Sequence, residues 1–338
     1  MKTGSTYLQQ CLTGAAPALA AQGVCYPTEL LDANNKHMHL PVFSAVRRKT
    51  EAELRPIFER LNAAGYNTIV LSCEFMSKFG RDPLTRLRAL TGSDDVEVVY
   101  AVRRWSDRIP SMWFQSLFAG SGATLPEYYV NLLNIMAKNG DIDYSIAWRK
   151  IADIFGRGSL KLFPYSTIMD RGEDIFSRFC TDVLHLTDVP KAEKQGSKIW
   201  SSFSLEDTEI LRVLNAIYTA EHGKKDARMY WQLKRGRDAL DTDAINSSIH
   251  AHLAELVLDE NARHFDRTFR RMEEFADNLV GDGPIFDRKA VTASYAAPEY
   301  LLGAGVARQL HSIYAKFNAA AEHVPAGGDE ESYDVGPL

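Results

Sequence analysis

The residues able to do chemistry begin at the second position. Lys2-Thr3-Gly4-Ser5-Thr6 places a basic side chain, a glycine and a run of hydroxyls directly ahead of a helical pattern. A glycine lets the backbone turn sharply, so that successive N–H groups at a helix N-terminus converge on an anion. The lysine adds a point charge and the hydroxyls add donors. A triphosphate loop reads GxxxxGK[ST], with the lysine after the glycine. Here the lysine comes first, so the order is not that of an ATP or GTP loop, and a simple helix cap is the plain alternative.

A second set sits a hundred residues on. In VEVVYAVRRWSDRIPSMW an apolar strand ends at Arg103-Arg104 and runs through a turn into a helix carrying Ser111. Guanidinium groups suit phosphate oxygens, and the C-terminal end of a parallel strand is where α/β proteins hold ligands. Ser111 can return on its helix to share one phosphate with Arg103, whereas a charged surface turn is the plain reading. Glu74 stands just beyond the apolar run NTIVLS, beside Phe75 and Met76. A carboxylate buried there would be pushed toward neutrality and could accept a proton; a salt bridge or a helix cap explains it equally well. His37 and His39, in the loop NNKHMHL, are its rivals as a base, or else solvated or hydrogen-bonded loop residues.

These groups need elements to hold them. STYLQQCLTGAAPALAAQ reads as helix with a break at Pro17, and GVCYP as a short strand closed by proline. EAELRPIFERLNAAG is a helix ending at Gly65 that feeds the strand NTIVLS, and DPLTRLRAL is a short helix capped by Asp82. The strand VEVVYAV and the helix SDRIPSMWFQSLF follow. Continuous apolar strands alternating with helices predict a parallel sheet covered on both faces. From TLPEYYVNLLNIMAKNG onward the pattern is helical apart from the strand SLKLFPY, and NSSIHAHLAELVLDENARHFDRTFRRMEEFADNLVG reads as one long amphipathic helical stretch. The acidic, Gly/Pro-rich end PAGGDEESYDVGPL is expected to be disordered.

The formal charge of −5 over 338 residues argues against a general nucleic-acid binder. The four cysteines form no CxxC pair, which suits reduced thiols in a cytoplasmic protein. No apolar run reaches spanning length and no signal-peptide core is present, so a soluble, cytoplasmic protein without a membrane span is expected. No DxD pair or HxxxH spacing calls for a metal.

Taken together, the KTGST loop and the later Arg103…Ser111 strand–helix resemble the sulfotransferase family that uses 3′-phosphoadenosine 5′-phosphosulfate (PAPS). The closer likeness is to bacterial and Golgi-type carbohydrate sulfotransferases, whose parts echo GVCYP, NNKHMHL, LSCEF, YSIAWRKIADIFG and LKLFPY. The resemblance implies an α/β fold related to P-loop nucleotide hydrolases: a parallel sheet flanked by helices, with a helical C-terminal extension. Residues 1–215 would form the core with the PAPS site, 216–324 the helical extension and 325–338 an acidic tail. It implies that Lys2 stabilises the leaving oxygen, that Thr3, Gly4, Ser5 and Thr6 hold the phosphosulfate, and that Arg103 and Ser111 fix the 3′-phosphate. Tyr165 would contact the purine or a phosphate, the loop of Ser197 would close over the 3′-phosphate, and Arg104 and Arg108 would widen the basic rim. The implied reaction moves a sulfuryl group to a hydroxyl of a carbohydrate or glycolipid, with Glu74, His37 or His39 as base and no metal. A PAPS-binding relative without activity and a small-molecule kinase are the alternatives. In that family the loop hangs from a buried strand, and only Met1 precedes Lys2. The expectation is therefore an apolar strand further upstream, a groove in the sheet, and a loosely held loop at residues 1–6.

Overall fold

The computed structural model describes residues 5–33, 38–136, 142–191 and 203–322. Helices dominate it. The strands among these residues form three separate two-stranded sheets: β1 (Val24–Cys25) with β2 (Thr68–Ile69), β3 (Val98–Ala101) with β4 (Leu160–Phe163), and β5 (Leu253–Asp259) with β6 (Ala290–Ala296). The first two pairs are parallel, in the register Val24–Thr68 and Val98–Leu160.

This overturns the continuous parallel sheet and, with it, the sulfotransferase-type fold. The physical reason lies in what an apolar run reports. NTIVLS and GVCYP signal segments buried on both faces, but burial does not say how many strands lie alongside. Here helices supply it. α1 (Ser5–Gly14), α2 (Ala16–Ala20), β1, β4 and later helices share one core of Leu12, Leu19, Val24, Tyr26, Phe163 and Phe176, against which Val70 and Val99 also pack.

Contacts divide the chain into two units. The first comprises residues 1–109, 132–201 and 259–291. Besides α1 and α2 it holds α3 (Leu40–Arg48), α4 (Arg55–Ala63) and α5 (Arg81–Thr91). α6 (Trp105–Phe118) begins in it, and α7 (Leu125–Ile135) ends at its border. α8 (Tyr144–Phe155), α9 (Tyr165–Asp170) and α10 (Ile175–Asp182) complete its central part. Capping sets several of these boundaries. Asp143 accepts from Ser145 N–H at the start of α8, and Asp174 does the same for Ser177 N–H at α10. The centre of this unit is aromatic: Trp105, fully buried, stacks on Phe265 at 4.8 Å between ring centroids and donates its indole N–H to the carbonyl of Ile142.

The second unit comprises residues 110–131, 202–258 and 292–338. Its long helix α11 (Leu205–His222) is capped by Ser204 and stops at Gly223, whose φ of 68° is left-handed. α12 (Arg228–Gly236) and α13 (Asp243–Ala251) follow, and after α14 (Arg263–Glu273) of the first unit α15 (Val306–Glu322) completes it.

The stretch expected as one long helix is broken. α13 ends at Ala251, β5 occupies Leu253–Asp259, and only then does α14 start. The reason is visible locally: in LAELVLD the exposed Leu253, Glu255 and Val257 alternate with the more buried Ala254, Leu256 and Leu258, a period of two that a helix cannot satisfy.

Candidate functional site

In the first unit, the ends of the parallel strands carry several of the residues singled out from sequence. Beyond β2 the chain runs through Ser72 to Glu74, which opens a short 3₁₀ turn, Glu74–Lys78. Ser5, at the start of α1, donates its hydroxyl to Glu74 Oε2 at 3.0 Å, joining residues 69 apart in sequence. Two turns of the chain are therefore tied at this point. A second link runs beside it, from Gln9 Nε2 to Ser72 Oγ at 2.9 Å. Thr6 is half-buried, while Lys2, Thr3 and Gly4 lie outside the described residues.

His39 is fully buried, and both of its ring nitrogens are engaged by backbone. Nδ1 accepts from Ser72 N–H at 3.0 Å, and Nε2 donates to the carbonyl of Pro27 at 3.2 Å. Burial lowers its pKa to about 4, against the pull of those two bonds, so the ring is neutral and ties the loop before α3 to the end of β2. His37 and Ser197 lie outside the described residues.

The β3–β4 pair carries the other cluster. Arg103 leaves β3 half-buried, with its guanidinium 5.6 Å from the ring centroid of Tyr165 and its carbonyl accepting from the Tyr144 hydroxyl at 2.7 Å. Tyr165 is likewise half-buried and opens α9 just past β4. The two residues thus stand at the C-terminal ends of paired parallel strands. Ser111 is half-buried on α6 and belongs to the second unit, whereas Arg103 belongs to the first.

The neighbouring arginines differ from expectation. Arg104 and Arg108 form no basic rim, because both are buried, at 2% and 3% exposure. A charge taken out of water needs partners, and Arg104 has them: ion pairs to Asp170 and Asp107, and a bond from Nε to the carbonyl of Asp287 at 2.9 Å. Its N–H donates to Ser166 Oγ, which in turn donates to Asp107. Burial would raise the Asp170 carboxyl, yet Lys289 and Arg104 together hold it below its ordinary range. Arg108 donates to the Tyr144 hydroxyl at 3.2 Å.

Glu260 is a group that sequence reasoning missed. It is 1% exposed, and Oε1 accepts from Ser106 N–H, in the first turn of α6, at 2.7 Å. Burial pushes its pKa up to about 7, opposed by the Ser106 backbone and hydroxyl, the charge of Arg104 and the Lys289 backbone. The period-two pattern just ahead of it was the available signal: once LAELVLD is a strand, Glu260 falls at its exit rather than on the outer face of a helix.

These placements remove the basis for PAPS as cofactor, for sulfuryl transfer as the activity and for a carbohydrate or glycolipid hydroxyl as acceptor. The short, separate strand pairs provide no common sheet edge on which a donor loop and a 3′-phosphate motif would converge. Among the described residues no group of three or more His, Cys, Asp or Glu side chains is arranged to hold a metal, and no helix is long and apolar enough to cross a membrane. No protein-family model, no curated protein and no solved structure matches the chain.

Proposed function

We propose that the first unit binds a small molecule bearing a phosphate or carboxylate group at the C-terminal ends of β3 and β4. The observation that carries this reading is the placement of Arg103 over Tyr165, both half-buried, where two paired parallel strands end. A guanidinium held against a ring offers an anion a cation whose orientation is already fixed, which lowers the ordering cost of binding. Two further ties fix the main chain at this point: the Tyr144 hydroxyl donates to the Arg103 carbonyl, and the Arg104 N–H donates to Ser166 Oγ.

Calorimetric titration of the full chain with inorganic phosphate and with citrate tests the reading. Saturable binding of one of them is expected, and Arg103→Ala should weaken it by about 1.5–3 kcal/mol, the range for hydrogen bonds to a charged group. Arg103→Lys, which keeps the charge and loses the fork, should fall between. No saturable heat with either anion, or equal affinity in the alanine variant, would refute the proposal.

A further inference from the structure

We infer that Glu260 is a proton-operated latch on the first turn of α6, holding that turn closed when protonated and favouring its opening to water when ionised. This device does not depend on the anion-binding reading.

The geometry isolates the carboxyl group. Glu260 Oε1 receives the Ser106 N–H, but Oε2 is buried without a hydrogen-bond partner among the described residues. Hydrogen bonds to its own N–H and carbonyl fix its backbone. Glu260 N–H donates to the Lys289 carbonyl at 3.1 Å, and the Glu260 carbonyl accepts from Arg288 Nε at 3.0 Å and Nη2 at 2.6 Å. The helix start is fixed too, since Trp105, one residue before Ser106, is stacked on Phe265 and fully buried.

The charged groups around it are paired elsewhere, and the Arg104 charge and the Ser106 hydroxyl offset its burial only in part. Arg104, just before α6, and Asp107, in its first turn, are already paired with one another, and Arg104 is further committed to Asp170. From the strap before β6 come Arg288, paired with Asp266 at 2.8 Å, and Lys289, paired with Asp170 at 2.7 Å. On its own side lie Asp259, His264 and Asp266; burial lowers the pKa of His264, opposed by Asp259 and Asp266. Glu260 makes no ion pair among the described residues.

An ionised carboxylate in this position keeps one oxygen desolvated and unbonded, which is unfavourable. Proton uptake relieves the charge, and so does opening the turn to water. A pKa of about 7 in the closed state is the mark of the first route. The second must then gain weight as pH rises, because the open state releases the proton at the ordinary glutamate value of 4.5. Linkage between these two values makes the opening equilibrium of the turn about tenfold larger at pH 8 than at pH 6.

Hydrogen exchange of the Ser106 amide in the full chain, divided by its intrinsic rate at each pH, reads this equilibrium. The expected result is about tenfold less protection at pH 8 than at pH 6 in the wild type, and no such change in Glu260→Gln, which cannot ionise. Protection independent of pH in the wild type, or a variant retaining the wild-type dependence, overturns the inference. A direct carboxyl-carbon NMR titration of the wild type needs no variant: a Glu260 midpoint near 7 supports the latch, and one near 4.5 overturns it.

Discussion

His39→Asn should change how stability depends on pH far more than it changes the fold. The asparagine carbonyl can take over the Nδ1 role toward Ser72 N–H, while the bond to Pro27 is lost. In the wild type the folded ring binds its proton at about 4, against an ordinary 6.5 for the unfolded chain. Between these values the unfolded state holds more protons, so the stabilisation is complete above 6.5 and is lost as pH falls toward 4. Between pH 7.5 and pH 5, His39 therefore removes about 2 kcal/mol of stability. Glu260 acts with the opposite sign. Its folded pKa is raised, so its contribution is present below 4.5 and is lost as pH rises through about 7, which adds roughly 2 kcal/mol over the same acid step. The two nearly cancel in the wild type. Urea denaturation at pH 7.5 and pH 5 separates them: relative to wild type, His39→Asn should gain about 2 kcal/mol on acidification. A variant whose pH dependence matches wild type within about 0.5 kcal/mol would refute the reasoning, because a buried neutral imidazole cannot be removed without removing its linkage.

Two backbone predictions follow from geometry alone. Gly120 has φ of +90°, and a Cβ built there would lie 2.3 Å from the backbone nitrogen of Asp226; Gly120→Ala should therefore destabilise the second unit by roughly 3 kcal/mol or more, seen as a lower urea midpoint. Lys49 closes α3 in the left-handed region at φ 66° with its side chain exposed, so Lys49→Gly should relieve strain and raise stability by about 0.5–1 kcal/mol in thermal or urea unfolding.

Helices were legible where amphipathic spacing and end signals agreed. DPLTRLRAL lies within α5, although its cap is Gly80 and the expected cap Asp82 falls in the first turn, and SDRIPSMWFQSLF is most of α6. Strands were legible as to place but not as to partnership. GVCYP, NTIVLS, VEVVYAV and LKLFPY all contain strand residues, yet the pairs stop at two or four residues and join no larger sheet. Periodicity reports whether a segment is covered; it is silent on whether a strand or a helix does the covering. The resemblance to sulfotransferases filled that silence with a sheet that is not there.

The same limit explains the site. Arg103 and Arg104 are adjacent and identical in type, and nothing local distinguishes them, yet one stands half-buried at a strand end and the other is sealed among Asp107, Asp170 and Ser166. What separates them is alternation along the emerging strand combined with partners about 60 residues away, which a single sequence does not display. Glu260 is the sharper instance. A glutamate among charged neighbours reads as solvent-facing, because burying a carboxylate without a cation is costly. Its burial follows from long-range placement: the strap at Arg288–Lys289 fixes its backbone, and the first turn of α6 offers a single N–H. A group so placed keeps its position only by giving up its charge near neutral pH. Such sites are where residue type misleads most, since the chemistry that matters is set by what the fold withholds from the side chain.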